Sequence, residues 1–136
     1  MGRPVTVANA GNELPVGQEM KSCIVIRNTG RTPALEMRVA HDGVILDKGV
    51  SPPLPDVNKS VPKALFPNTD DFYYPFGNRI LTKAELDAII HGTRVAWIVA
   101  RITYLDGAGG EHETHICTRW DQSRGCFVPD LKNHAT

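Results

Sequence analysis

Apolar side chains recur along this chain mainly with a period of two, the spacing of strands that bury one face. Met20–Arg27 reads as the first strand, with β-branched residues crowding Cys23–Ile26. A cluster of turn formers, Asn28-Thr29-Gly30-Arg31-Thr32-Pro33, closes it. Ala34–His41 follows with clean alternation: Leu35, Met37 and Val39 are expected on one face, Glu36 and Arg38 on the other. Val44–Leu46 reads as a further short strand. Later, Val95–Leu105 and His112–Trp120 are two long strands joined by the glycine-rich loop 106–110, and a second turn, 121–125, leads into Cys126-Phe127-Val128.

Two stretches break the period. Thr82-Lys83-Ala84-Glu85 has the form of a capping box, in which the threonine hydroxyl and the glutamate carboxylate satisfy each other's backbone amides. Leu86, Ile89 and Ile90 then supply an apolar face and Gly92 a left-handed stop, so a helix of about two turns is expected near 83–91. The other stretch is 49–77. It carries Pro52, Pro53, Pro55, Pro62, Pro67 and Pro75 together with Phe66, Phe72, Tyr73, Tyr74 and Phe76. Proline cannot donate to a ladder, and the segment is too long for an ordinary loop, so edge strands or a packed excursion are expected. Many strands and one short helix predict a two-layer β-sandwich.

A chain of 136 residues, 41% of them apolar, suffices for one domain spanning 1–136 with a sizeable core. Lys plus Arg equals Asp plus Glu at 15 each, so the basic excess expected of a nucleic-acid partner is missing. The longest apolar runs fall far short of the roughly 20 residues that cross a bilayer. No basic stretch followed by an apolar core opens the sequence, which leaves a cytosolic chain or a soluble part of a longer one.

Three motifs together resemble a known family: Asn28-Thr29-Gly30-Arg31-Thr32-Pro33-Ala34, Ile102-x-Tyr104-x-Asp106, and His112-x-Thr114-x-x-Cys117. The family comprises small uncharacterised bacterial proteins with membrane-spanning segments near the N-terminus and a C-terminal immunoglobulin-like sandwich. The resemblance covers most of 21–126. It implies an all-β, antiparallel, immunoglobulin-like sandwich placed in the periplasm or otherwise outside the cytoplasm. It implies no catalytic residues and no cofactor. The spanning segment of that pattern is not found in this sequence, which leaves the compartment open.

Candidate chemistry is sparse. Cys117 and Cys126 fall on one face of neighbouring strands if loop 121–125 closes with an even count, so a disulfide is one reading and reduced thiols the other. Cys23, within an apolar run, reads as a small buried hydrophobe. His115 and Cys117 share a face and are weak candidates for a metal site, which needs three or four ligands. No nucleophile elbow and no phosphate loop occurs. The aromatic residues of the excursion remain the best candidates for recognition of a protein or carbohydrate partner: Phe72, Tyr73, Tyr74 and Phe76, with one of Tyr73 and Tyr74 expected to face outward. The competing reading has Phe66, Phe72 and Phe76 plugging the sandwich. The sequence thus favours a non-enzymatic binding or scaffolding module, with a metal-binding protein or metal-dependent enzyme centred on His115 and Cys117 as the alternative.

Overall fold

The computed structural model describes residues 5–10, 22–77, 79–130 and 134–135. The strands are β1 (Val5–Ala10), β2 (Cys23–Asn28), β3 (Ala34–Asp47), β4 (Lys63–Leu65), β5 (Asp70–Tyr73), β6 (Arg94–Leu105), β7 (Glu111–Asp121), β8 (Cys126–Pro129) and β9 (His134–Ala135). A single helix, α1 (Lys83–Ile90), falls between β5 and β6. All pairings are antiparallel and form two sheets. The smaller runs β1-β2-β5 and the larger β4-β3-β6-β7-β8, with β9 also on β7. The two antiparallel sheets make an all-β sandwich.

The core lies between the sheets. Ile24 and Ile26 of β2 face Met37, Val39 and Ile45 of β3 and Ile98, Ala100 and Ile102 of β6. The capping box at Thr82 forms as expected, with the Glu85 amide donating to Thr82 Oγ1 at 3.1 Å and the Thr82 amide to Glu85 Oε1 at 3.2 Å. Gly92 takes the left-handed conformation that ends the helix, at φ +77°. Ile89 is buried under the helix, while Ile90 is nearly half exposed.

Two expectations need correction. Ala34–His41 and Val44–Leu46 form one continuous strand, and its alternation slips at the start. Leu35 pairs with Leu105 but Arg38 with Thr103, so β3 carries one extra residue, a bulge. Glu36 absorbs it at φ 46°, which turns Leu35 out to solvent and leaves Ala34 and Met37 facing in. The strand expected at Met20–Arg27 is β2, Cys23–Asn28, and β1 precedes it; Met20 and Lys21 lie outside the described residues.

The 49–77 excursion contains edge strands, as its prolines suggested. β3 ends at Asp47 and β4 rejoins it with Lys63 opposite Met37, so the chain must return about 33 Å at ~3.3 Å per residue. It does so along the outer face of the larger sheet. A 3-10 turn at Val57–Lys59 buries Val57, and the Ser60 carbonyl accepts from Arg38. Arg38 therefore pins this return. Trp97, Val99 and Cys117 form a second apolar cluster on that outer face, with Val44, Leu46 and Val95 against it.

Candidate functional site

Residues 66–69 cross from β4, at the edge of one sheet, to β5, at the edge of the other. β4 is the last strand of the larger sheet, and β5 pairs with β2 alone among the described strands. Both edges thus open on one flank of the sandwich. Lys63 ties them together: its Nζ pairs with Asp71 and lies 5.8 Å from the centre of the Tyr73 ring. Tyr73 donates its hydroxyl hydrogen to the same carboxylate. Burial pushes the Asp71 carboxyl up, but the bonds from Lys63 and Tyr73 outweigh it and hold it below the usual range. Burial, and then the bond to Asp71, push the Tyr73 phenol up.

Register separates the aromatic residues. Tyr73 stands opposite the fully buried Ile24 and turns inward, its ring 5.3 Å from that of His41. Phe72 stands opposite Val25 on the outer face and is 54% exposed, as is Tyr74. Phe66, in the crossing itself, is 60% exposed. The expectation that one of Tyr73 and Tyr74 faces out is met by Tyr74. Phe76, expected among the contact residues, belongs to the core instead. It is 5% exposed, rests on Gly43 of β3 and lies 6.3 Å from Phe127. The competing reading holds for Phe76 and fails for Phe66 and Phe72.

The Cys117–Cys126 bridge is not formed; Cys23, Cys117 and Cys126 are all reduced thiols. The two residues do share a face, but β8 pairs Cys126 with Asp121, so Cys117 lies four residues further along β7, roughly 13 Å away. That exceeds the separation a disulfide tolerates. Parity was the right test for facing, and register is the one that decides reach.

His115 and Cys117 do lie on one face of β7, yet they serve different neighbours. His115 Nε2 is 3.1 Å from Glu113 Oε1, and Arg101 pairs with the same carboxylate oxygen. The His115 bond, set against some burial and helped by Arg101, holds the Glu113 carboxyl below its ordinary value. Cys117 is buried beside Trp97 and Val99. Among the described residues no three His, Cys, Asp or Glu side chains gather as a metal centre would require.

The motif residues of the 102–117 hairpin brace its turn. Asp106 Oδ1 accepts from the amides of Ala108 at 2.9 Å and Gly110 at 2.8 Å. Its Oδ2 lies 2.6 Å from His112 Nε2, and the His112 ring stacks on Tyr104 at 5.0 Å. The same hairpin meets the Asn28–Ala34 turn, where a side chain on Gly107 would come within 2.9 Å of Thr32. Tyr104, Asp106 and His112 thus brace this corner, while Ile102 lies in the core and Cys117 in the outer-face cluster.

Sequence reasoning missed a hollow of about 720 Å³ at the start of β6 and the end of β7. Trp97 and Trp120 line it, with Ile90, Val95, Lys48 and Arg119. Its parts come from distant stretches of chain, so no local motif announces it. Among the described residues no helix is long and apolar enough to cross a membrane. No family model, curated protein or solved structure matches the chain.

Proposed function

We propose that the protein is a non-enzymatic binding module that receives an extended polypeptide along the β4–β5 flank. The observation that carries this reading is the exposure of Phe66, Phe72 and Tyr74 beside β5, whose second edge is unpaired among the described strands. Large aromatic rings give apolar contact at little cost in side-chain entropy, which suits them to recognition. An unpaired strand edge favours a polypeptide over a sugar, because an incoming strand bonds to the ladder while its side chains meet the rings. β5 is short and carries Asp70 and Asp71, features that keep such an edge from indiscriminate pairing. The resemblance of three motifs to those of membrane-anchored bacterial proteins supports a place outside the cytoplasm.

The test is capture from native lysate by the purified protein and by a Phe72→Ser/Tyr74→Ser variant. Loss of a captured protein in that variant, and its retention by Leu54→Ser, is the expected result. The same captured set with all three proteins contradicts the reading.

A further inference from the structure

We propose that Asn58 is an acceptor for N-linked glycan transfer, at the centre of the motif Asp56-Val57-Asn58-Lys59-Ser60. The motif meets the asparagine-x-serine rule, with Lys59 in the middle and Val61 after the serine, two places where proline would bar the reaction. No other asparagine of the chain is followed two residues on by serine or threonine. Asp56 adds a carboxylate two residues before the acceptor, an anchor for a charge-assisted contact with the transferring enzyme. None of these residues belongs to the β4–β5 flank, so the proposal does not rest on that surface.

The fold presents this motif to solvent. It lies between the end of β3 at Asp47 and the start of β4 at Lys63, outside every described strand. Asp56, Asn58 and Lys59 are exposed, and the Asn58 carboxamide bonds to no described residue. Short-range bonds hold the turn. Asp56 Oδ1 accepts from the Asn58 amide at 2.9 Å, and the Val57 carbonyl accepts from the Ser60 amide at 3.0 Å and the Ser60 hydroxyl at 2.8 Å. Drawing the motif into an extended active site breaks these bonds, the Arg38 contact to the Ser60 carbonyl and the burial of Val57, yet leaves both sheets paired. Such local opening costs far less than unfolding the domain. In the transfer, Asn58 Nδ2 forms a bond to the anomeric carbon of a polyprenyl-diphosphate-linked oligosaccharide. The bond from that carbon to the diphosphate oxygen breaks, the diphosphate leaves with the electron pair, and a carboxamide proton passes to a base of the enzyme. The Ser60 hydroxyl, released from Val57, becomes the group that the enzyme binds.

The test incubates the whole folded chain with a purified single-subunit oligosaccharyltransferase and a polyprenyl-diphosphate-linked oligosaccharide, read by intact mass and peptide mapping. A gain of one oligosaccharide at Asn58 is expected, and none in Asn58→Gln. Asp56→Asn keeps an oxygen to cap the Asn58 amide but removes the charge, so transfer is expected to fall about tenfold through loss of the charge-assisted contact. Ser60→Thr keeps the hydroxyl and is expected to be modified like the native chain, whereas Ser60→Ala is not. All four changes lie at the surface turn, and unchanged urea midpoints verify that the variants are folded. No gain of mass in the native chain would overturn the proposal, and so would undiminished transfer to Asp56→Asn or a glycan on Asn58→Gln.

Discussion

Asn28 Nδ2 donates to the Leu65 carbonyl at 2.9 Å, which ties the end of β2 in one sheet to the end of β4 in the other. The same amide nitrogen donates to the Thr32 carbonyl at 2.9 Å, and Asn28 Oδ1 accepts from the Gly30 amide at 2.9 Å. The Asn28 carbonyl accepts from the Asn68 amide at 2.8 Å, which anchors the crossing that presents Phe66. Asn28 is fully buried, and its bond to Leu65 is made away from water, while those with Thr32 and Gly30 are partly buried.

Replacing Asn28 with Ala strands the Leu65 and Thr32 carbonyls and the Gly30 amide. We expect a loss of about 3 kcal/mol in urea unfolding, the range for a buried polar network broken at its centre. Asn28→Asp keeps the acceptor for Gly30 but loses both donors and buries a charge, so it is expected to be no better tolerated. A loss within the range of ordinary surface changes contradicts the role of this corner.

Phe76 owes its burial to Gly43. A Cβ at position 43 would sit 2.6 Å from the Phe76 ring, closer than packed atoms allow. Gly43→Ala is expected to cost about 1–3 kcal/mol by overpacking. Adding Phe76→Leu should recover part of that loss, a non-additivity that a double-mutant cycle measures. Strict additivity would mean that the two residues do not meet.

His41 faces Tyr73 between the sheets, and its Nδ1 has no hydrogen-bond partner among the described residues. Burial lowers its pKa below the ordinary 6.5, and the nearby Asp42 charge offsets only part of that. The unfolded chain therefore takes up this proton first as pH falls. The stabilising contribution is complete above 6.5 and is lost as pH drops towards the folded-state value. Urea midpoints are expected to decline through this window in the native protein and to flatten in His41→Phe. The depressed Asp71 and Glu113 carboxyls lose their contribution only in more acidic solution, which separates the two effects.

The cysteine register makes a chemical prediction. Three thiols are expected to titrate in denaturant after purification in air, with Cys117 the slowest to react in the folded protein because it is buried in the outer-face cluster. A single reactive thiol would indicate a bridge and a different pairing of β8.

Much of the fold was legible because local chemistry determines it. The Thr82 cap, the Gly92 stop, the 106–110 turn and the alternation of β6 and β7 each follow from neighbours in sequence. The failures are non-local. Glu36 sits in a bulge that only the pairing with β6 reveals, and its side chain gives no sign of a left-handed backbone. β1, with its Val5-Thr6-Val7 alternation, is too short to stand out without β2 beside it. Phe72 and Phe76 have the same side chain; one lies opposite Val25 and the other over Gly43, and that difference belongs to register. The hollow at the start of β6 and the end of β7 draws on Lys48 and Arg119, residues that only the folded chain brings together.

The central claim, that the β4–β5 flank is the contact surface, is tested most directly by a photo-reactive phenylalanine analogue introduced singly at Phe72, Tyr74 and Leu54. Irradiation in native lysate is predicted to yield one and the same covalent partner from positions 72 and 74 and none from position 54. Adducts that are absent at 72 and 74, or equally abundant at 54, would contradict it.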